Sequence, residues 1–375
     1  MYILANLERK CLLMSIESDL KKDGITVIEP LDTTTVNVIA KNVSKKIVAA
    51  FSNLGFDFDT LYERFSKLPM YIADMPEGMS EASYFYKNSA IYFRDGMGLA
   101  DLEKFAVHEL IHNFQEQKNE KGDLTRLGLC TFKGSKPTGI ALNEAAVQLL
   151  ASNILENTFE TATYYDITFS TVSPNCYPLL CNLIYQMAYV TGEEVLFEST
   201  FNSNDHFKNK FTALCGENVY NQISNYFDKI LETEEKIIKI SNKIQKNELS
   251  TAKVDSLYRK SDELKKQLKS VYFSTQELII NSYFTNSLKT LITSDDVDIF
   301  RKKLYSFQDI IGTTSNYFFF NNYYIQVMEK LDSRYDSLSD YLDDDNTYLI
   351  PKKENKFTKI INYIKKLIWK KESVR

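Results

Sequence analysis

The segment His108-Glu109-Leu110-Ile111-His112 constrains the fold more than any other part of the chain, because it holds two of the three histidines four positions apart. Residues four positions apart on a helix share one face and lie about 6 Å from each other. Two imidazoles in that arrangement can bind one zinc ion. Apolar residues recur at helical spacing around the segment, at Leu102, Phe105, Ala106, Leu110 and Phe114. The sequence therefore predicts a metal-binding helix that is buried on one side.

Glu109 follows the first histidine and is predicted to lie about 100° around the helix from it. From that position a carboxylate can reach a water molecule on the metal without binding the metal itself. Zinc lowers the pKa of water from about 16 to about 7, and a nearby glutamate can then remove a proton as the water attacks a peptide carbonyl. We therefore interpret Glu109 as the general base of a peptide hydrolase.

A catalytic zinc ion takes three protein ligands and keeps one position open, so a third ligand must come from elsewhere in the chain. Glu144 lies in an otherwise apolar helical pattern over residues 140–155, where an unpaired carboxylate would be costly to bury. A metal ion would explain its presence. The alternative is His206, the remaining histidine, which lies in a polar stretch typical of a loop.

The HELIH segment, followed after a loop by Asn143-Glu144-Ala145, resembles the gluzincin zinc metallopeptidases, which include the thermolysin-like enzymes. Upstream, residues 83–96 are similar to the substrate-binding edge strand and the next strand of that family, so the resemblance covers roughly residues 70–148. It implies one Zn²⁺ ion bound by His108, His112 and Glu144, with Glu109 as general base. It also implies an edge strand that binds an extended peptide, formed by Ser83, Tyr84, Phe85 and Tyr86.

Two features depart from the thermolysin-like pattern. Those enzymes place an aspartate four residues after the ligand glutamate, and this chain has Gln148 at that position. The neutral amide of a glutamine can accept the imidazole N–H of a histidine ligand, but it raises the basicity of that ligand less than a carboxylate does. We expect Asn143 and Gln148 to lie next to the metal ligands. Those enzymes also use a downstream histidine near the transition state, and other gluzincins use a tyrosine. The candidate here is Tyr177, followed by Tyr164 or Tyr165, with plain core packing as the alternative for each.

The fold class predicted from these patterns is α+β, with a small mixed sheet and the active-site helix first and a mostly α-helical lobe after them. Before the zinc helix we predict a strand at residues 24–30, a helix at 36–51, a strand at 70–73 and a hairpin at 83–93. After it we predict a loop-rich crossing at residues 118–136, a helix at 140–155, an irregular or extended segment at 161–173 and a helix at 177–189.

Two long helical patterns between residues 219 and 292, separated by residues 247–251, predict an antiparallel helical hairpin. The hairpin is either a structural arm or a docking surface for a protein partner.

Residues 332–345 are acidic, and residues 352–375 form a basic helix with one apolar face. That tail either adsorbs to an anionic membrane surface or docks on the acidic body of the protein.

These patterns divide the chain into five predicted parts. Residues 1–120 form the zincin-like α+β subdomain, and residues 121–218 form a helical subdomain that supplies the third zinc ligand. The remaining parts are the hairpin at residues 219–295, the C-terminal helices with the acidic segment at 296–350, and the basic amphipathic tail at 351–375.

Composition and charge exclude several other classes. A net charge of −5 gives no reason to expect nucleic acid as a partner. The five cysteines have no metal-binding spacing, and their odd number argues against a disulfide framework. The first apolar run ends at Glu8-Arg9-Lys10, too early for a signal peptide, and no later run reaches the length of a membrane span. We expect a cytoplasmic protein, with leaderless export as the alternative, and membrane contact through the tail is one of the two roles proposed for that segment.

The function predicted from the sequence is that of a zinc metallopeptidase, with an endopeptidase favoured, acting on a peptide or protein substrate. The main alternative is a catalytically silent protein of the same fold that acts as a binding module through its hairpin and tail. The complete set of three ligands together with Glu109 favours the enzyme. A toxin-like protease is a third alternative, based on the HELIH pentapeptide that clostridial neurotoxin light chains also contain.

Overall fold

The computed structural model describes residues 16, 18–22, 24–134, 136–245, 250–311 and 317–343. The chain divides into two compact units, with the boundary between Tyr283 and Phe284 inside one long helix. The predicted α+β fold class is confirmed, since small sheets of two to four strands accompany a larger set of helices. The basic tail predicted at 351–375 lies outside the described residues.

A four-stranded mixed sheet forms the N-terminal part of the first unit. Its strands lie in the order β1, β2, β4, β3, with β2 and β4 parallel and the two outer strands antiparallel to their neighbours. The predicted strands and the β3–β4 hairpin are confirmed, and β3 lies at an edge of the sheet. The strand bounds are β1 (Thr26–Pro30), β2 (Met70–Asp74), β3 (Ala82–Phe85) and β4 (Ala90–Arg94).

Three helices accompany this sheet, namely α1 (Thr33–Ala50), α2 (Phe58–Ser66) and α3 (Leu99–Gln115), of which α3 carries the HELIH segment. Helix α3 packs on β3, β4 and α1, and most of its middle turns are buried. At its C-terminus, Arg64 of α2 donates a 2.9 Å hydrogen bond to Oδ1 of Asn113 and another to the carbonyl of the same residue. A helix end leaves such carbonyl groups without partners, so Arg64 fixes the last turn of α3.

Residues 116–138 form an antiparallel four-stranded meander, so the predicted loop-rich crossing over 118–136 is wrong. The strands are three or four residues long, which is too short for an alternating apolar pattern to emerge from polar, glycine-containing sequence. Their bounds are β5 (Glu116–Lys118), β6 (Leu124–Leu127), β7 (Cys130–Lys133) and β8 (Lys136–Thr138).

Helix α4 (Ile140–Ile154) lies at the centre of the helical part and packs against α3, α5, α6 and α8. Most of its residues are buried, as its apolar sequence requires. The segment expected to be irregular or extended is a hairpin of β9 (Glu160–Tyr164) and β10 (Ile167–Thr171). The helices that follow are α5 (Pro178–Thr191), α6 (Glu193–Asn202), α7 (His206–Cys215), α8 (Glu217–Gln245) and α9 (Thr251–Leu288).

Helices α8 and α9 occupy the two ranges predicted as the arms of a hairpin, and residues 246–249 between them lie outside the described residues. The antiparallel pairing of the arms stays a prediction. The second unit contains α10 (Ser294–Ile311) and α11 (Tyr317–Asp343), and its core includes Phe284, whose ring meets those of Phe300 and Phe307 edge to face. Within the described ranges, no helix combines the length and the hydropathy that crossing a lipid bilayer requires.

Candidate metal centre

Three side chains from two helices converge on one point. His108 and His112 lie on successive turns of α3, and Glu144 lies in the second turn of α4. The two histidine Nε2 atoms are 3.0 Å apart. The carboxylate oxygens of Glu144 lie 3.3 Å from Nε2 of His108 and 3.4 Å from Nε2 of His112. Among the described residues, this is the group whose ligand atoms are close enough to hold a metal ion.

The spacing of these atoms fits zinc. A tetrahedral zinc ion with ligands at about 2.0 to 2.2 Å holds neighbouring ligand atoms about 3.3 to 3.6 Å apart. Both nitrogen–oxygen distances fall in this range, and the nitrogen–nitrogen distance is slightly shorter. The side chains of His108 and Glu144 retain exposed fractions of 13% and 19%, so a ligand can reach the cluster from solvent.

A chain of hydrogen bonds determines which nitrogen of His108 carries its proton. The hydroxyl of Ser173 donates to the carbonyl of Cys176 at 2.6 Å, and its oxygen accepts from Nε2 of Gln148 at 2.9 Å. This orientation turns Oε1 of Gln148 toward Nδ1 of His108, at 2.9 Å. Because an amide oxygen only accepts, the proton of neutral His108 lies on Nδ1. Its Nε2 lone pair then faces Glu144, as metal ligation requires.

The charges in the cluster attract a cation. Burial lowers the pKa of His108, but the carboxylates of Glu144 and Glu109 outweigh this effect and raise it to about 9. Burial also raises the pKa of Glu144, yet the two imidazoles hold it well below its usual range. The Nδ1 atom of His112 is buried and has no hydrogen-bond partner among the described residues. The cluster therefore favours positive charge, and protons would compete there with a metal ion.

Glu109 lies beside the cluster and is not one of the three converging residues. Its side chain is buried, and Oε2 accepts a 2.6 Å hydrogen bond from the backbone N–H of Tyr84 in β3. Burial raises the pKa of Glu109, and the neighbouring histidines offset this only in part. A carboxylate with a raised pKa exchanges a proton with water more readily, which suits a general base.

The predicted substrate strand lies at the sheet edge, with Ser83, Tyr84 and Phe85 inside β3 and Tyr86 directly after it. Successive side chains of a strand point to opposite faces. Phe85 packs against the hydrophobic core of the sheet. The hydroxyl of Tyr84 instead accepts a 3.2 Å hydrogen bond from Nδ2 of Asn113 on α3. The edge strand is thus joined to helix α3 at Tyr84.

Tyr177 is the tyrosine that the structure brings to the cluster, with its ring centroid 6.3 Å from that of His108. Burial and the charge of Glu144 raise the pKa of Tyr177 well above its ordinary value, so its hydroxyl stays protonated. The hydroxyl of Tyr164 donates to the carbonyl of Pro174 at 2.6 Å and is therefore already engaged. Tyr165 lies in the β9–β10 turn, with φ of 52°.

Gln148 lies next to a metal ligand as expected, but the hydrogen bonds of Asn143 go elsewhere. Oδ1 of Asn143 accepts from the backbone N–H of Leu129 at 2.9 Å, and Nδ2 donates to Oε1 of Gln115 at 3.3 Å. Asn143 therefore joins α4 to the end of α3 and to the β6–β7 turn, and these hydrogen bonds do not reach His108, His112 or Glu144.

His206 lies outside the cluster, so the alternative third ligand is excluded by its position. It is the first residue of α7 rather than part of a loop, and its Nδ1 lies 2.6 Å from Oε2 of Glu198 at the surface. Sequence reasoning missed Ser173, which orients Gln148. A serine in an extended segment carries no sequence signal for that role, because the contact depends on how the segment after β10 lies beside Gln148 of α4.

Comparison with models of known protein families, with curated proteins and with solved structures gave no match. The function is therefore argued from the geometry of the site.

Proposed function

We propose that this protein is a zinc-dependent metallopeptidase of the gluzincin type. The observation that carries the proposal is the convergence of His108, His112 and Glu144, with the buried Glu109 held beside them by the edge strand. A zinc ion bound by these three residues would supply Lewis-acid chemistry, polarising a peptide carbonyl and lowering the pKa of water. The hydrogen-bonded tautomer of His108 supports this ligand set over a purely structural cluster.

Glu109 moves the proton in the proposed reaction. Its carboxylate removes a proton from the attacking water and returns it to the amine that leaves when the peptide bond breaks. The N–H of Tyr84 holds this carboxylate in place at 2.6 Å, and Glu109 is only 7% exposed to solvent. The raised pKa of Glu109 supports this role because the group must both accept and release a proton.

Tyr177 is proposed to donate a hydrogen bond to the oxyanion that forms on the substrate. Its hydroxyl remains protonated because of its raised pKa, and its ring lies beside that of His108. Removal of one such donor typically lowers kcat by about 10²- to 10³-fold.

The proposed substrate is an extended peptide or protein segment that pairs with the free edge of β3. Backbone hydrogen bonds at a sheet edge supply affinity with little demand on substrate sequence. An internal segment can lie along such an edge, which favours an endopeptidase. Membrane contact through residues 352–375 and partner binding by the helical hairpin stay predictions.

Metal analysis tests the proposal first. We expect purified wild-type protein, incubated with zinc and dialysed, to retain one zinc ion per chain, and Glu144→Ala to lose most of it. The matched control is Glu198→Ala, because Glu198 also pairs with a histidine but at the surface, away from the cluster. Equal zinc in wild type and Glu144→Ala would overturn the ligand assignment.

Cleavage of unfolded casein and of a quenched fluorescent peptide library then tests the reaction. We expect Glu109→Gln to keep its zinc and lose at least 10³-fold in kcat. Full activity of Glu109→Gln would exclude this mechanism. Stoichiometric zinc binding without cleavage in the wild type would favour the silent binding protein instead.

A further inference from the structure

The hydroxyl of Ser173 contacts two different parts of the candidate site. Ser173 lies two residues after the end of β10 and is only 3% exposed. Its oxygen accepts a 2.9 Å hydrogen bond from Nε2 of Gln148 on α4, and its hydrogen is donated to the carbonyl of Cys176 at 2.6 Å. Its backbone N–H donates to Oγ1 of Thr171 at 3.1 Å. The hydroxyl therefore has one orientation, with a lone pair directed at Gln148.

This orientation selects one of the two ways in which the amide of Gln148 can point. The oxygen and the nitrogen of an amide have nearly the same size, so turning the group over exchanges them without changing the packing. Since the single hydrogen of the Ser173 hydroxyl goes to Cys176, its oxygen can only accept from Gln148. The amide nitrogen must face Ser173, and Oε1 consequently faces Nδ1 of His108, at 2.9 Å.

The rejected amide orientation would work against metal binding. It would turn Nε2 of Gln148 toward Nδ1 of His108, and that ring nitrogen would then have to accept. The proton of the neutral imidazole would move to Nε2, which lies 3.3 Å from a carboxylate oxygen of Glu144 and 3.0 Å from Nε2 of His112. A protonated Nε2 has no lone pair for a metal ion. The Ser173 hydroxyl thus acts on the metal ligand through Gln148.

The same hydroxyl holds the backbone directly before Tyr177. The carbonyl of Cys176 belongs to the peptide bond that joins it to Tyr177, so the hydrogen bond from Ser173 fixes the plane of that bond. Tyr177 has φ of 47° and ψ of 44°, in the left-handed region that few side chains adopt. Its own carbonyl accepts from the N–H of Cys181 at 2.8 Å. With the peptide bonds on both sides held, the centroid of its ring lies 6.3 Å from that of His108.

We propose that Ser173 is a positioning residue that couples the metal ligand His108 to the candidate oxyanion donor Tyr177. Through Gln148 its hydroxyl sets the tautomer that leaves Nε2 of His108 available to the metal. Through Cys176 it holds the backbone that presents Tyr177. The first effect does not depend on turnover. The second rests on the proposed peptidase function and extends it to a residue that acts only through its neighbours.

Substitutions at position 173 separate the hydroxyl from the size of the side chain. Ser173→Val and Ser173→Thr add nearly the same volume, but only threonine keeps a hydroxyl. We expect Ser173→Val to weaken zinc binding about tenfold and Ser173→Thr to bind zinc as wild type does. Ser152→Ala is the matched control, because Ser152 is buried one turn after Gln148 on α4 and its hydroxyl has no partner in the part of the chain that the structure describes. Competition with a chromogenic chelator measures each dissociation constant.

A double-mutant cycle tests whether the hydroxyl acts through the amide. Ser173→Ala should weaken zinc binding about tenfold in the wild-type background. It should have no further effect once Gln148→Leu has removed the amide, because the two residues act in series. A serine that merely stabilised the fold would give losses that add in the double variant. Additive losses would therefore overturn the inference.

The tautomer is observable by NMR, because the chain has only three histidines. In zinc-loaded protein with isotope-labelled histidine, the Nδ1 proton of His108 is held by Gln148 and should give a resolved N–H signal. Ser173→Ala should lose this signal through faster exchange with water, and Ser152→Ala should keep it. Persistence of the signal in Ser173→Ala would show that the hydroxyl does not fix the amide.

Peptide cleavage tests the connection to Tyr177. With every variant saturated with zinc, we expect Ser173→Ala to lower kcat about tenfold in the wild-type background and to have little effect in the Tyr177→Phe background. Equal losses of kcat in the two backgrounds would overturn the coupling to Tyr177.

The outcomes distinguish this inference from the proposed function. Equal zinc affinity in wild type, Ser173→Val and Ser173→Thr would remove the inference and leave the peptidase intact. The expected zinc cycle in a protein that cleaves nothing would support the effect on His108 and remove both the peptidase and the role of Tyr177. A wild type that binds no zinc would remove the inference and the proposed function together.

Discussion

The backbone N–H of Tyr84 donates a 2.6 Å hydrogen bond to Oε2 of Glu109, so the edge strand directly orients the candidate general base. The hydroxyl of the same tyrosine accepts from Asn113, one turn further along α3. Tyr84 thus contacts helix α3 on both sides of His112.

Tyr84→Pro removes this N–H, and proline is tolerated at an edge strand where the N–H does not serve the sheet. We expect kcat for peptide cleavage to fall at least tenfold, because Glu109 loses its fixed orientation, while the zinc content stays unchanged. Tyr84→Phe is the control, since it keeps the N–H and removes only the side-chain hydroxyl with its hydrogen bonds, including the one to Asn113. Steady-state kinetics with metal analysis checks both, and equal kcat in the two variants would contradict the role of the N–H.

The sequence predicted the elements and residues whose signal is local. The HELIH segment lies on α3, and Glu144 lies on α4, because their apolar neighbours repeat at helical spacing. Glu144 was conspicuous as a single carboxylate in an apolar helix. Its approach to His108 and His112 is expected from the cost of burying that carboxylate and from the gluzincin resemblance, because nothing in the spacing of residues 108–144 determines how two helices pack.

Contacts between distant segments could not be predicted. Ser173 orients Gln148 across a separation of 25 residues, and Asn143 turns toward Leu129 and Gln115 instead of the ligands. The burial of Glu234 could not be predicted, for a different reason. It lies in an amphipathic helix rich in glutamate and lysine, where a buried carboxylate looks like a solvated one until the packing is known.

Gln148→Leu removes the acceptor that holds Nδ1 of His108, and we expect zinc affinity to fall about 10- to 100-fold. Gln148→Glu should retain or increase the affinity, since a carboxylate accepts the same N–H and raises the basicity of the imidazole. Competition with a chromogenic chelator measures both dissociation constants. Unchanged affinity in Gln148→Leu, with unfolding temperature also unchanged, would show that the hydrogen bond does not tune the metal site.

Tyr177→Phe removes the proposed oxyanion donor, and we expect kcat to fall about 10²-fold with KM and zinc content unchanged. Tyr177 adopts φ of 47° and ψ of 44°, a left-handed conformation that costs an L-residue about 1 to 2 kcal/mol. Phenylalanine shares that cost, so the substitution isolates the hydroxyl. Tyr164→Phe is the control, because that hydroxyl bonds to the backbone of Pro174. An equal loss of kcat in both variants would argue against a catalytic role for Tyr177.

Glu234 makes the stability of the protein depend on pH. Its pKa is about 7 in the folded protein against an ordinary 4.5, so below pH 4.5 the group is protonated in both states and imposes no charge penalty. As the pH rises to about 7, the unfolded chain ionises first and the free energy of unfolding falls. Above pH 7 both states are ionised and the loss stays constant.

Glu234→Gln removes this titration, so its free energy of unfolding should decline less between pH 5 and pH 8 than that of wild type, by about 2 kcal/mol. Urea unfolding at the two pH values gives the difference. Glu235→Gln retains every other titrating group and should behave as wild type does. Parallel curves for Glu234→Gln and Glu235→Gln would contradict the raised pKa.

Gly128→Ala should destabilise the junction that holds Asn143 in place. Gly128 has φ of 56°, and a Cβ there would lie 2.5 Å from Nε2 of Gln115 and against Oδ1 of Asn143. The substitution therefore displaces the side chain directly before Glu144 and breaks its bond to the N–H of Leu129. We expect the free energy of unfolding to fall by about 2 to 4 kcal/mol, through backbone strain and loss of buried hydrogen bonds.

Gly122→Ala separates the two causes of this loss. Gly122 also has a positive φ, of 82°, but a Cβ there would meet nothing within 4 Å. It should therefore show only the cost of the left-handed backbone, about 1 kcal/mol. Urea unfolding compares the two variants, and chelator competition reports whether zinc binding weakens in Gly128→Ala alone. If both variants lost the same stability and bound zinc equally, the packing of Asn143 against this turn would have no part in placing Glu144.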